Sequence, residues 1–154
     1  ATFFVSGGMF RLAPKGVMRI VAEGHVLAAH SFGHGIFPNL TADQIDDDFC
    51  KFYAESDKVV PGYQYEFFRF PYGSRDERSQ KIVASWKVKG VMWSDTSGGV
   101  SATDSYNQVV GRAENGKIVL MHMGRVGDVD ATEVIVKKLI EMGYSLESIE
   151  TGLR

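Results

Sequence analysis

The sequence AHSFGH, at residues 29–34, contains two of the four histidines in the chain. His30 and His34 are four residues apart. On one turn of helix, residues with this spacing lie on the same face, so both imidazoles can point at one position. Two converging neutral imidazoles are the common beginning of a site for zinc or another divalent transition metal. The alternative is a pair of polar loop residues, because so short a motif also occurs by chance.

The segment before this motif, VLAA at residues 26–29, has the composition of a short buried strand. Outward from it, apolar runs alternate with amphipathic stretches about five times. This order predicts parallel strands joined by crossover helices, in a barrel or an open sheet. The predicted strands are residues 1–6, 25–29, 65–70, 88–93, 118–121 and 148–151. The predicted helices are residues 14–24, 74–86, 104–113 and 132–142, with a further helix capped by Thr41. Ser74 and Glu77 have the spacing of a capping box.

Polar side chains that could act in catalysis or metal binding follow four of these strands. They are His30 and His34, the segment 69–72, Asp95, and His122. Carboxyl ends of parallel strands meet at one edge of a sheet, where α/β folds build their sites. Four segments that deliver such groups to strand ends therefore favour a functional site over chance.

Composition narrows the class of protein. With 154 residues, 44% hydrophobic and 23% charged, the chain has the size of one domain with a proper core. A net charge of −2 argues against a nucleic-acid partner. Cys50 alone excludes an internal disulfide framework. No apolar run approaches the ~20 residues that a membrane span needs, and the first residues resemble a core strand, not a signal peptide.

Three consecutive aspartates, at residues 46–48, invite a metal-binding interpretation. They fall on the helix that Thr41 begins, and neighbouring residues of a helix point in widely different directions. They cannot all reach one ion, so we predict a solvated face.

Several motifs occur in a specific order along the chain. An ATFFV strand at residues 1–5 precedes His-Ser-x-x-His at residues 30–34, Arg-x-Pro-Tyr-Gly at residues 69–73, and Leu-x-His at residues 120–122. In this order and spacing the chain resembles the polysaccharide deacetylase family, the NodB-homology domain of carbohydrate esterase family 4. The resemblance covers essentially the whole chain.

The resemblance implies a distorted (β/α) barrel that forms one catalytic domain over residues 1–154. The family's first motif, Thr-Phe-Asp-Asp, carries the catalytic base and the third metal ligand, and it does not occur in this chain. We therefore expect the domain to lack its first strand, and an upstream segment or a second chain to supply it. In the fourth motif, Asp-x-x-Asp-Trp, Asp95 can stand for the first aspartate, whereas Gly98 and Gly99 occupy the place of Asp-Trp.

The same resemblance implies roles for individual residues. His30 and His34 would hold Zn²⁺, with Co²⁺ as another candidate, and His122 would protonate the leaving amine. Asp95 would hold the His122 imidazole, and Arg69 would orient the missing aspartate base.

Two further residues of these motifs would contact the acetyl group. The Tyr72 backbone N–H would bind the oxyanion, and Leu120 would line the acetyl pocket. Each assignment has a plainer alternative: a surface ion pair for Arg69, and ordinary core positions for Tyr72 and Leu120.

The function implied is metal-dependent removal of acetyl groups from N- or O-acetylated polysaccharide such as chitin, peptidoglycan or xylan. The protein would be secreted or act at the cell surface. Two alternatives stay open: a non-catalytic carbohydrate-binding remnant of the fold, and a different metal hydrolase on an α/β scaffold.

Overall fold

The computed structural model of this chain describes residues 1–153. The chain divides into two compact units, Ala1–Met92 and Trp93–Arg154. Each unit has a hydrophobic core made of its own residues. The expectation of one catalytic domain over residues 1–154 stays a prediction.

The first unit is built on a four-stranded parallel sheet. Its strands are β1 (Thr2–Val5), β2 (Val26–Ala29), β3 (Phe67–Phe68) and β4 (Lys89–Gly90), and they pair in chain order. Four helices connect them: α1 (Gly7–Leu12), α2 (Pro14–Ala22), α3 (Ala42–Asp57) and α4 (Glu77–Ser85). Short 3₁₀ turns occur at Phe37–Asn39 and Pro71–Gly73.

The core of this unit explains its strand sequences. Parallel strands covered on both faces are apolar throughout, as in VLAA of β2. Helix α3 contributes Ile45, Phe49 and Phe52, each no more than 1% exposed. These side chains recur at the spacing of one helical face, and Phe49 packs against Phe68 of β3 with ring centroids 5.1 Å apart.

The described part of the second unit, residues 93–153, contains a two-stranded parallel sheet and three helices. Strand β5 (Asp95–Thr96) pairs with β6 (Val119–Leu120). The helices are α5 (Ala102–Gly111), α6 (Val126–Glu141) and α7 (Ile149–Gly152). Its buried core consists of one residue of α5 and three of α6: Val109, Ala131, Ile135 and Leu139.

The structure confirms the alternation of parallel strands and crossover helices but corrects several boundaries. The predicted last strand, residues 148–151, is wrong. The Ser148 hydroxyl accepts the Thr151 N–H at 3.3 Å, and α7 begins there. Helix α4 begins at Glu77, three residues later than predicted, because Asp76 and Ser79, and not Ser74 and Glu77, form the capping box. The predicted cap of α3 at Thr41 is confirmed.

Candidate functional site

His30 and His34 converge in the structure. His30 follows β2 directly, and its Nε2 lies 3.1 Å from Nε2 of His34. The Nδ1 atom of His30 lies 2.7 Å from the Arg69 carbonyl oxygen, which can only accept, so Nδ1 carries the proton. In a neutral ring this makes Nε2 the nitrogen with the lone pair for a metal.

The backbone that achieves this convergence is not the predicted helical turn. Residues 31–34 form a loop in which Ser31 and His34 have positive φ values of 67° and 54°. Such values are costly for residues other than glycine, so the loop needs specific support.

The donor set fits a divalent metal in part. Two Zn–N bonds of ~2.0–2.1 Å at a tetrahedral angle separate their nitrogens by about 3.3 Å, close to the 3.1 Å seen here. Within residues 1–153, no cluster of three or more histidine, cysteine, aspartate or glutamate side chains could hold an ion. The described part of the chain therefore offers two imidazole ligands.

Asp48 supports the loop from helix α3. Its carboxylate accepts the N–H of Phe32 and of Gly33, each at 2.8 Å, and the Ser31 hydroxyl at 3.0 Å. Asp48 is only 9% exposed. The prediction of a solvated face for residues 46–48 is therefore wrong for this residue, although Asp47 is exposed and pairs with Lys51.

Arg69 lies directly after β3, and its side chain is 6% exposed. Its Nε donates to the Val91 carbonyl at 3.1 Å, and its guanidinium lies 4.0 Å from the ring centroid of Phe4. Burial lowers the pKa of Arg69 to about 10. The alternative of a surface ion pair is wrong, because this guanidinium is held inside the first unit.

Tyr72 lies in the 3₁₀ turn that follows, with φ 58° and ψ 7°. Its side chain is 69% exposed, so the alternative of a core position is wrong. The ring meets His34 edge to face, with centroids 4.8 Å apart. The left-handed backbone thus keeps Tyr72 beside the histidine pair.

In the second unit, His122 follows β6 and lies against a carboxylate that sequence reasoning missed. The His122 N–H donates to Asp128 at 2.7 Å, and its Nδ1 lies 3.7 Å from the same oxygen. Asp128 is 1% exposed and accepts the Ser105 hydroxyl at 2.8 Å. Burial raises the pKa of Asp128, but the hydrogen bonds from the His122 N–H and the Ser105 hydroxyl lower it, and the pKa lies below its usual value.

Asp95 is placed differently from its predicted role beside His122. It lies within β5, and its carboxylate is 2.9 Å from Arg112 and 3.4 Å from Lys117. Burial raises the pKa of Asp95, but the Thr96 N–H and these two cations lower it by more. The pKa therefore lies below its usual value and the carboxyl stays ionised. The structure therefore gives Asp128 the position beside His122 that we predicted for Asp95.

Gly98 and Gly99, which stand where the family motif has Asp-Trp, are consistent with Asp128 lying beside His122 in place of Asp95. Both have positive φ, 79° and 70°. A Cβ at Gly99 would lie 2.6 Å from Cδ of Arg125 and 3.0 Å from the Asp128 carboxylate. The space beside Gly99 is thus already occupied by side chains at residues 125 and 128. Leu120, the predicted acetyl-pocket residue, is half-buried in β6 opposite Thr96.

Comparison with known proteins identifies the family. Residues 1–91, more than half of the chain, match the sequence pattern described as "Polysaccharide deacetylase". The chain belongs to the polysaccharide deacetylase family. Its His-Ser-x-x-His and Arg-x-Pro-Tyr-Gly motifs both lie in the matched part.

Relatives of known sequence and structure agree with this family. The chain is 32% identical to the peptidoglycan-N-acetylglucosamine deacetylase of Bacillus cereus over 93% of its own length and 54% of that enzyme. It thus spans about half of that relative. The solved structure of the peptidoglycan deacetylase PdaC from Bacillus subtilis matches 99% of this chain with a TM-score of 0.90 and 24% identity, covering 75% of that chain. This confirms the predicted fold class, the α/β fold of the deacetylases.

One structural neighbour is described as a pseudoenzyme of the same family, from Bacillus anthracis. It matches this chain over its whole length with a TM-score of 0.90 and 24% identity, and the match spans 55% of that protein. The fold alone therefore does not decide between an active and an inactive member. Separately, none of the helices within residues 1–153 is long and apolar enough to cross a bilayer.

Proposed function

We propose that this chain carries part of the active site of a metal-dependent hydrolase that removes acetyl groups from acetylated polysaccharide. The observation that carries the proposal is the convergence of His30 and His34, with the proton of His30 held on Nδ1. The family supports the reaction class, and the Bacillus cereus relative favours an N-acetylated cell-wall glycan over chitin or xylan. A protein acting on such a glycan would be secreted or at the cell surface.

His30 and His34 would hold the divalent ion, Zn²⁺ or Co²⁺. When bound, such an ion polarises a carbonyl and lowers the pKa of its water to about 7. The Tyr72 N–H would donate to the oxyanion that forms on the acetyl carbon. Its left-handed backbone at an exposed turn suits that task. Leu120 would contact the acetyl methyl group.

His122 would protonate the departing amine, a step for which an imidazole is suited near neutral pH. The carboxylate beside it, Asp128, would keep the ring oriented and stabilise its protonated form. Arg69, buried and charged, would orient the carboxylate that accepts a proton from water.

That base and a third metal ligand belong to Thr-Phe-Asp-Asp in the family, a sequence that this chain lacks. Catalytic zinc sites usually have three protein ligands. We propose that an upstream segment or a second chain contributes these aspartates. The alternative is a non-catalytic carbohydrate-binding member, and the pseudoenzyme among the structural neighbours makes that alternative concrete.

Metal binding tests the proposal directly. The chelator-treated protein is titrated with Zn²⁺ or Co²⁺ in a calorimeter, and we expect one binding site. The double variant His30→Ala/His34→Ala should lose that site. His25→Ala, at a histidine that packs on Phe3, serves as the control and should keep the site. His122→Ala should also keep it, because we assign His122 to proton transfer.

Either of two outcomes would refute the assignment. One is binding that survives the double substitution. The other is loss of metal in His122→Ala, which would make His122 a ligand.

A further inference from the structure

We propose that Asp48 is the positioning residue of this metal site, whose buried carboxylate sets the loop that turns His34 toward His30. The inference rests on the proposed function only in that the histidine pair binds a metal. It adds a residue outside the histidine motif, 14 positions beyond His34 on a separate helix.

The contacts form a continuous path from Asp48 to His34. One carboxylate oxygen accepts the Phe32 N–H, and the other accepts the Gly33 N–H and the Ser31 hydroxyl. The Ser31 oxygen in turn accepts the His34 N–H at 2.8 Å. Every residue of the loop between the two histidines is thus tied to this carboxylate, and so, through Ser31, is the second histidine.

The loop conformation depends on these bonds. Ser31 and His34 both adopt left-handed backbone angles, which persist only where the surroundings enforce them. Two loop N–H groups and one hydroxyl would lose their acceptor without Asp48. Ser31 is 2% exposed, and a buried hydroxyl left without a partner is costly. Without these three bonds the loop would rearrange, and His34 would move with it.

A carboxylate is required here by its two acceptor oxygens. Asparagine keeps one oxygen but presents an NH₂ group to donors, so at least one bond is replaced by a clash of donors. Helix α3 fixes the carboxylate in place, since Phe49 and Phe52 beside it are fully buried. Its start at Thr41 is secured by a capping box.

The test compares Asp48→Asn with Asp47→Asn, a neighbouring and exposed position on the same helix. Zn²⁺ and Co²⁺ affinities are measured by calorimetry, and Co²⁺ coordination by its visible absorption spectrum. We expect Asp48→Asn to weaken metal affinity about 10–100-fold, as residues that orient ligands do, and to change the Co²⁺ spectrum. Asp47→Asn should match the unmodified chain in both measurements.

A folded Asp48→Asn variant that binds metal as the unmodified chain does would overturn the proposal, even if its melting temperature falls. That result would make Asp48 a purely structural residue and leave the proposed function intact. Absence of metal binding in the unmodified chain would refute both together.

Two measurements decide the case if Asp48→Asn fails to fold. Ser31→Ala breaks only the hydroxyl link to His34, and we expect it to weaken metal affinity several-fold. In the unmodified chain, the Phe32 and Gly33 amides should exchange with solvent slowly although they lie in a loop. Unchanged affinity in Ser31→Ala, or exchange at the rate of an unstructured peptide, would overturn the proposal.

Discussion

Asp48 accepts two backbone N–H groups from a loop that leads to a histidine, and Asp128 accepts the backbone N–H of His122 itself. Loops at strand ends expose such donors, and one carboxylate can accept several of them. Position along the helix distinguishes these two from other aspartates. Asp48 continues the buried series of Ile45 and Phe52, and Asp128 lies at helical spacing from Ala131 and its successors. An acidic residue on an apolar helical stripe was the signal available in the sequence.

Substitution of Asp128 by asparagine tests its place beside His122. The amide cannot accept from both Ser105 and His122 without turning its own NH₂ toward one donor. We expect a loss of about 1–3 kcal/mol in unfolding free energy at pH 7, from donors left without an acceptor. Urea unfolding followed by circular dichroism measures it.

The pH dependence of that loss follows from the lowered pKa of Asp128. Because the folded-state pKa lies below the unfolded value, the stabilisation is present above the unfolded pKa of 3.8 and is lost as pH falls through the folded value. The difference between Asp128→Asn and the unmodified chain should therefore shrink toward acid pH. Asp130→Asn, at an exposed position of α6, is the control. A difference in unfolding free energy between Asp128→Asn and the unmodified chain that stays constant down to pH 2 would contradict this explanation.

At the scale of elements, helix α1 begins against the loop at residues 31–34. The Gly7 N–H donates to the Ser31 carbonyl at 3.0 Å, and a Cβ at Gly7 would lie 2.2 Å from the Phe32 ring. Gly8, the next residue of the same helix, has open space around its Cβ position. The two glycines are thus a matched pair with opposite surroundings.

We expect Gly7→Ala to destabilise the protein by about 1–3 kcal/mol, because overpacking displaces the Phe32 ring or the helix. It should also weaken metal binding, since Phe32 belongs to the loop between the histidines. Gly8→Ala should leave metal binding unchanged and stabilise the helix by up to about 1 kcal/mol. Thermal unfolding with and without Zn²⁺ separates the two effects. Equal behaviour of both variants would show that the close approach at Gly7 is not maintained in solution.

The alternation of strands and helices was predictable because it depends on hydrophobic periodicity, which local sequence carries; the short helices α1 and α7 were not predicted. The ends of helices and strands were less predictable, since they depend on which side chain reaches a free backbone N–H. The sequence places Ser148 in a strand, whereas in the structure its hydroxyl caps helix α7. The convergence of His30 and His34 was predicted on helical geometry, yet a loop held by Asp48, 14 residues beyond the motif, produces it. The apolar stripe of α3 marks Asp48 as a buried acid, but no local pattern indicates which loop its carboxylate contacts.

For the whole molecule, the family motifs predicted both the fold class and the family, because motif order along the chain constrains where each strand can lie. They did not predict how Asp95 is used. Its carboxylate is engaged by Arg112 and Lys117, residues outside every motif. Whether residues 1–154 act as one catalytic domain is decided by measuring their activity.

We predict that residues 1–154 alone release little or no acetate from peptidoglycan or chitin oligomers. Residues 1–154 do not include the Thr-Phe-Asp-Asp sequence, to which we assign the proton acceptor for water and the third metal ligand. A positioned acid or base contributes typically 10²–10⁴-fold in rate, so loss of the base alone removes about that much. Fusion to an upstream segment that carries Thr-Phe-Asp-Asp should restore activity by a factor in this range and tighten Zn²⁺ binding. Replacing both aspartates of that segment by asparagine provides the control. Acetate release by residues 1–154 that equals the fusion would show that this chain supplies its own base.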